Sequence, residues 1–254
     1  MAQALTLARY TLLEARRSGL PWLALACVAA ALVLAAFLSQ VAITESLQLQ
    51  AALVAASLRA SAVFIVAVHV VTSVVRDSAD KGFELVLSLP VSRITLYTGR
   101  LAGYAAAGAA VATAFALPLL VWAAPGAVFA WWLSLMLEAA LVAALSLFFV
   151  FTLANVVSAL SAVAGFYLLS RSITALQAIA AGPAADDGVL GQLARLGMDG
   201  VGFLLPRLDA VTRTDWIVYG PPSTAELGMA ASGLVLYGAL ACVAGLVDFH
   251  RRNL

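Results

Sequence analysis

Arg76-Asp77-Ser78-Ala79-Asp80-Lys81-Gly82-Phe83-Glu84-Leu85-Val86-Leu87-Ser88-Leu89-Pro90-Val91-Ser92-Arg93, continuing to Gly99-Arg100, is a polar stretch between two apolar helical runs. It holds the only lysine of the chain and the densest run of charge. Nearly everything around it is apolar: 64% of residues are hydrophobic, 11% are charged, and mean hydropathy is +1.03. A soluble domain carries about 25% charged residues and roughly half apolar ones. One core cannot hide this much apolar surface, so the bilayer is the solvent and the fold class is an all-α, polytopic membrane protein.

Six spans fit the pattern, in a single transmembrane domain over residues 1–254. Residues 1–18 carry Leu5, Ala8, Leu12 and Ala15 on one helical stripe, flanked by Arg9 and Arg16. They read either as an interfacial helix on the cytoplasmic face or as an extension of the first span. Gly19 and Pro21 mark the break into that span, Gly19 to Leu38, which reads as an uncleaved anchor. Ser39 to Gln50 is a polar outer connection. The second span, Ala60 to Val75, is only about 24 Å long at 1.5 Å per residue, and extending it back to Leu53 takes in Arg59. A central arginine costs roughly 2.5–3.5 kcal/mol, so Arg59 is expected at the outer interface, where it can snorkel.

The third span runs from about Leu101 to Trp122. The turn Ala123-Ala124-Pro125-Gly126 follows, bracketed by Trp122, Trp131 and Trp132 as interfacial aromatics. A fourth span covers Trp132 to Phe151, and a fifth ends near Leu169 after a tight turn at Thr152–Asn155. Residues 171–222 form a long outer segment in which Leu190 to Leu205 suit short interfacial or re-entrant helices. Ser223-Thr224-Ala225-Glu226 is a capping-box pattern that opens the sixth span, ending near Val247. Counting Lys and Arg gives nine on the side of both termini and five on the other, so both termini and the opening stretch are expected in the cytoplasm.

Several chemistries lack a signature. No phosphate-binding G-x-x-x-x-G-K-[ST] loop, H-E-x-x-H pair or Cys/His cluster is present, and no Ser or Cys sits in a nucleophile elbow. Net charge is +1, with no basic footprint for nucleic acid. Cys27 and Cys242 lie in apolar runs and read as packing residues. Intramembrane ionisable groups are functional candidates by default, which singles out His69 and Glu138. For each, the plain alternative is a hydroxyl, water or backbone partner inside the bundle. Gly99, Gly103 and Ala107, four apart, form a small face for close helix packing or a dimer contact, and Ala154, Ser158 and Ala162 repeat the spacing.

Within the opening stretch, Phe83, Leu85, Val86, Leu87 and Leu89 are too apolar for a free loop and too few to span. A short helix over Asp80–Leu89 at the membrane face satisfies both facts. Pro90 ends it, and Ser92 caps the next helix, which carries Arg93 and Arg100 directly into the third span. A push on the short helix would reach the second and third spans. The plain alternative is an ordinary amphipathic loop helix.

This stretch resembles the first cytoplasmic loop of type 2 ATP-binding-cassette permeases, roughly acidic-x-x-G-T-x-E-x-L-L-x-x-P-[VI]-S-R followed by G-[KR]. Asp80 or Asp77 stands at the acidic start. Gly82, Glu84, Leu87, Pro90, Ser92, Arg93 and Gly99 match, and Phe83 stands where threonine is usual. The six-span layout and the long last outer segment are also similar to that family. Leu204-Leu205-Pro206-Arg207-Leu208-Asp209 and the basic end resemble its subgroup linked to multicopper-enzyme maturation in the nitrous-oxide reductase cluster.

The resemblance implies a non-catalytic permease subunit in the inner membrane of a bacterium. It would be an exporter, paired with a second permease copy, most simply as a homodimer. A separate ATPase would bind ATP and Mg, and this chain would carry no cofactor. Asp80, Lys81, Gly82, Phe83, Glu84, Leu87, Pro90 and Arg93 would couple to that ATPase, and residues 171–222 would form a gate or exit. His69 and Glu138 are the candidates for the transport path. The rivals are a stand-alone channel or secondary carrier, a membrane scaffold, and an intramembrane enzyme using Glu138 or His69.

Overall fold

The computed structural model describes residues 2–41, 46–80, 91–180 and 189–251. Among these, every regular element is a helix: α1 (Ala2–Arg17), α2 (Leu20–Val41), α3 (Ser46–Ala79), α4 (Arg93–Leu119), α5 (Pro125–Leu153), α6 (Val156–Ala180), α7 (Val189–Leu204), α8 (Leu208–Val211), α9 (Asp215–Tyr219) and α10 (Thr224–Arg251). Six of them, α2 to α6 and α10, are long and apolar enough to cross a membrane. The chain is an all-α, multi-pass membrane protein.

α5 is the organising span. It is apolar on all sides, as a helix enclosed by others must be, and it packs against α3, α4, α6 and α10. Its N-terminus uses Pro125 at the first turn, where a missing N–H costs nothing. It ends at Ala154, whose φ of 56° reverses the chain, and Asn155 then caps α6 by accepting from the N–H of Val157 at 2.8 Å. The expected turn at Thr152–Asn155 is therefore present. Ala154 lies in that turn, off the α6 face on which its spacing from Ser158 and Ala162 had placed it.

Both expected caps form. Ser92 Oγ accepts from the N–H of Thr95 at 3.1 Å, so α4 starts at Arg93 and runs unbroken into the span. At α10, the N–H of Glu226 donates to Ser223 Oγ at 3.3 Å, while the N–H of Ser223 donates to Glu226 Oε2 at 3.1 Å.

Several boundaries move. α3 has 34 residues, not sixteen, and begins at Ser46. Of the expected connection Ser39–Gln50, residues 39–41 end α2 and residues 46–50 open α3, where Gln50 is buried and its side-chain oxygen accepts from Trp122 Nε1 at 3.2 Å. Pro125 and Gly126 belong to α5 rather than to the preceding turn, and α6 extends to Ala180, taking in the start of the outer segment. Leu190–Leu205 forms one helix, α7, rather than several short ones. Trp131 does not sit at an interface. It is fully buried between α3 and α5, beneath Arg59.

α1 is a separate helix, broken from α2 at Gly19 with φ of 82°. The expected stripe is buried only at its small residues: Leu5 is 66% and Leu12 39% exposed, whereas Ala15, with Thr11 beside it, is buried. The reason lies on α4. A Cβ at Gly99 would stand 2.9 Å from the carbonyl oxygen of Ala4, and one at Gly103 would stand 2.5 Å from Thr11 Cβ. Without hydrophobic drive between helices in lipid, close backbone approach and dispersion decide the contact, and small residues win. The Gly99/Gly103 face is thus taken by α1 of the same chain, while Gly108, on another side of α4, lets Ala139 of α5 approach.

Gly103→Val should therefore undock α1. Overpacking of this kind costs roughly 1–3 kcal/mol, and modification of a cysteine placed at Thr11 should become fast in the variant. Unchanged protection of that cysteine would contradict the contact.

Candidate functional site

Two polar networks are built into the bundle. The deeper one centres on Arg59 and Glu138. Each lies thirteen residues after the first residue of its helix, α3 or α5. The two helices run in the same direction, so both side chains sit about 20 Å along them and meet in mid-bundle. Arg59 Nη1 donates to Glu138 Oε2 at 2.6 Å, and both side chains are essentially unexposed, at 1% and 0%. Arg59 Nη2 donates to Ser134 Oγ at 2.9 Å, and the guanidinium carbon lies 5.0 Å from the centre of the Trp131 ring. Ser134 and Glu138 are four apart, hence on one face of α5, and Trp131 is one turn earlier. The second oxygen of Glu138, Oε1, accepts from the hydroxyl of Tyr167 on α6 at 2.8 Å.

The expectation that Arg59 snorkels to an outer interface is overturned. A charge can enter the apolar region at tolerable cost only if its partners travel with it, and here a carboxylate, a hydroxyl and an indole face surround the guanidinium. Arg59 Nε has no hydrogen-bond partner among the described residues. Glu138 does find partners inside the bundle, but the principal one is a charge rather than a hydroxyl or water.

From Tyr167 the network continues outward. Arg171, one turn along α6, approaches the Tyr167 hydroxyl at 3.5 Å and donates to Thr212 Oγ1 at 2.5 Å. Thr212 ends α8 and donates to the carbonyl of Leu208 at 2.6 Å. A continuous polar path thus links mid-bundle Arg59 to the segment between α6 and α10.

The second network forms a collar at the end of the bundle where α1, the last turns of α3, the start of α4 and the end of α10 meet. Glu14 on α1 accepts from Ser73 Oγ at 2.7 Å and from Arg76 Nη2 at 2.6 Å, both on α3. Ser73 also bonds the hydroxyl of Tyr104 on α4 at 2.9 Å. Asp77 pairs with Arg100 across α3 and α4 at 2.5 Å. Arg93, the first residue of α4, donates to the carbonyls of Phe249 and His250 at 3.4 and 3.2 Å, where the free carbonyls of α10's last turn favour a cation. Thr152 of α5 donates to Asp248 at 2.6 Å.

His69 sits at the edge of this collar. It is 9% exposed, with its ring edge-on to Tyr104 at 5.8 Å and Nδ1 3.4 Å from Ser18 Oγ. His69 and Glu138 therefore belong to separate networks and do not form one site. Of the residues expected to couple to a partner, Asp80 is exposed at the end of α3 and Arg93 is tied to α10. Lys81, Gly82, Phe83, Glu84, Leu87 and Pro90 lie outside the described residues, as does most of the expected helix over Asp80–Leu89. Glu14, Ser73, Tyr104 and Tyr167 were not singled out from the sequence. Hydroxyls and a carboxylate on helices expected to touch would have been the signal.

Removing one member of a buried ion pair strands the other and costs about 3–5 kcal/mol, whereas replacing both by apolar groups is close to neutral. Arg59→Met and Glu138→Leu should each lower the melting temperature in detergent strongly, and the double variant should recover most of the loss. Additive losses in the double variant would show that the pair is not the coupled unit described.

Comparison with protein-family models gives no match, and a search of curated proteins gives none either.

Proposed function

We propose that this chain is the membrane subunit of an ATP-driven transporter of the ATP-binding-cassette type, working as an exporter in a bacterial inner membrane. A separate ATPase supplies ATP and Mg, and a second permease copy completes the path. The 80–92 stretch is the contact with the ATPase.

What supports this reading is the wiring at both stems of that stretch. On the α3 side, Arg76 is held by Glu14 and Asp77 by Arg100. On the α4 side, Ser92 caps the helix and Arg93 grips the end of α10. A force arriving at these two stems would therefore be delivered to α1, α3, α4 and α10 together. Anchored stems, in a sequence with no phosphate-binding loop, favour a separate ATPase as the motor.

A carrier without an ATPase draws on a different observation, the Arg59–Glu138 pair. Buried opposite charges that part and rejoin are a means of gating or proton coupling. The two readings separate in one experiment. Purification in mild detergent recovers a nucleotide-binding subunit under the first and none under the second. Within a recovered complex, Glu84→Arg and Pro90→Ala are expected to leave insertion intact while ATP hydrolysis continues without transport. Normal coupling in both variants would remove the lever from the proposal.

A further inference from the structure

At the end of the bundle opposite the collar, a cavity of about 770 Å³ lies between α7, α8, α9 and α10. That is within the usual size of small-molecule sites, roughly 300–1,000 Å³. Its inner wall is apolar, formed by the buried Leu205, Val211, Trp216 and Leu234. Tyr237 adds its ring, because its hydroxyl is occupied by the carbonyls of Phe203 and Leu205 at 3.2 Å each. That contact also fixes the end of α7 against α10 and holds the cavity open.

The charged groups around it are not equivalent. Glu226 is taken by the capping box, and Asp199 accepts from Gln177 at 3.3 Å. Arg207 and Arg213 also line the cavity, are exposed, and make no ion pair or hydrogen bond among the described residues. The two carboxylates keep their charge but have neutral donors on their oxygens, so the charged groups left without a partner among the described residues are the two arginines, at the rim of an apolar volume. α7 supplies a third observation. Leu193, Leu196, Phe203 and Leu204 are 61–85% exposed on this helix. In a multi-pass protein such a face lies against lipid, and Phe203 belongs both to that face and to the cavity lining.

We propose that this cavity binds one acyl chain of an anionic amphiphile, admitted past α7 from the membrane, with Arg207 and Arg213 holding the acidic headgroup. The chemistry is shared by an anionic phospholipid of the adjoining leaflet and by a free fatty acid. Neither an ATPase nor transport enters the argument, so the site stands or falls apart from the function proposed above.

Trp216 in the cavity wall reports occupancy. The purified chain is reconstituted in phosphatidylcholine discs containing acyl-brominated phosphatidylglycerol, acyl-brominated phosphatidylcholine or brominated stearate. Quenching at Trp216 is taken as the difference between the wild type and Trp216→Phe. Saturable quenching by brominated phosphatidylglycerol, well above that by brominated phosphatidylcholine, is expected. Brominated stearate matching it identifies a fatty-acid site; phosphatidylglycerol alone identifies a phospholipid site. Arg207→Gln with Arg213→Gln, both on the surface, should weaken the anionic lipid on the order of tenfold. Gly233→Leu, at a lining position where an added Cβ meets nothing within 4 Å, should fill the space and reduce quenching by every probe. Equal quenching by the two brominated phospholipids, insensitive to the arginine substitutions, would overturn the proposal.

Discussion

Inside a bilayer no water is available to solvate a charge, and this constraint explains the arrangement around Arg59. Its guanidinium is enclosed in mid-bundle, so α3 must present it to α5 at the depth of Glu138 and nowhere else. That fixes the axial register of the two helices more sharply than their alanine and valine contacts can, since small apolar surfaces slide past one another at little cost. Ser134 then occupies the second terminal nitrogen of the guanidinium and Tyr167 the second carboxylate oxygen, which brings α6 into the same register. Three spans are thereby keyed to one ion pair. The apolar clusters on either side of it fill the space that this registration defines.

The collar has a different physical character. Its charged members lie toward helix ends, where side chains are partly exposed: Arg76 is 55% and Glu14 30% exposed. Such pairs contribute little individually to stability. Their role is connectivity, because they join α1, α3, α4 and α10 through residues directly flanking the 80–92 stretch. The amphipathic N-terminal helix is drawn into this arrangement by Gly99 and Gly103. These let its backbone come so close that Glu14 reaches both Ser73 and Arg76. Close packing places the carboxylate, and the carboxylate then ties the ends.

Much of this was legible in the sequence. The number of spans followed from hydropathy alone, and the caps at Ser92 and Ser223 from a local pattern whose physics involves only neighbouring residues. Helix packing at Gly99 and Gly103 was also legible as one of two options; the partner was not, because spacing says that something approaches closely without saying what. Arg59 was misplaced for a clear reason. Its insertion cost was weighed for a single helix in lipid, while the compensating charge lies 79 positions later in the chain. A lone arginine in the second span and a lone glutamate in the fourth are complementary facts, and reading each separately hid the pair. The length of α3 failed in the same way, since Gln50 looks like loop until Trp122 supplies its partner.

The two networks also lie at different places along the same helices. α3 carries Arg59 in the deep network and Ser73, Arg76 and Asp77 in the collar, with about four turns of helix between Arg59 and Ser73. The intervening residues are dominated by buried Val, Ala and Ile, without a proline or glycine to act as a hinge. A displacement at the collar therefore moves Arg59 as part of a rigid rod. α5 carries the opposing carboxylate and reaches the collar end only in its last turn, through Thr152 and through Phe151, whose ring lies 4.9 Å from that of Phe249. In the proposed transporter, a force on the 80–92 stretch would act directly on α3 and on α5 only through its neighbours, so it would work to shift Arg59 against Glu138. Because the pair tolerates no unpaired intermediate in an apolar surrounding, it would resist small displacements and yield only to a large one. From Glu138 the polar path runs through Tyr167 and Arg171 to Thr212, so the yielding would be felt at α8, on the far side of the bundle.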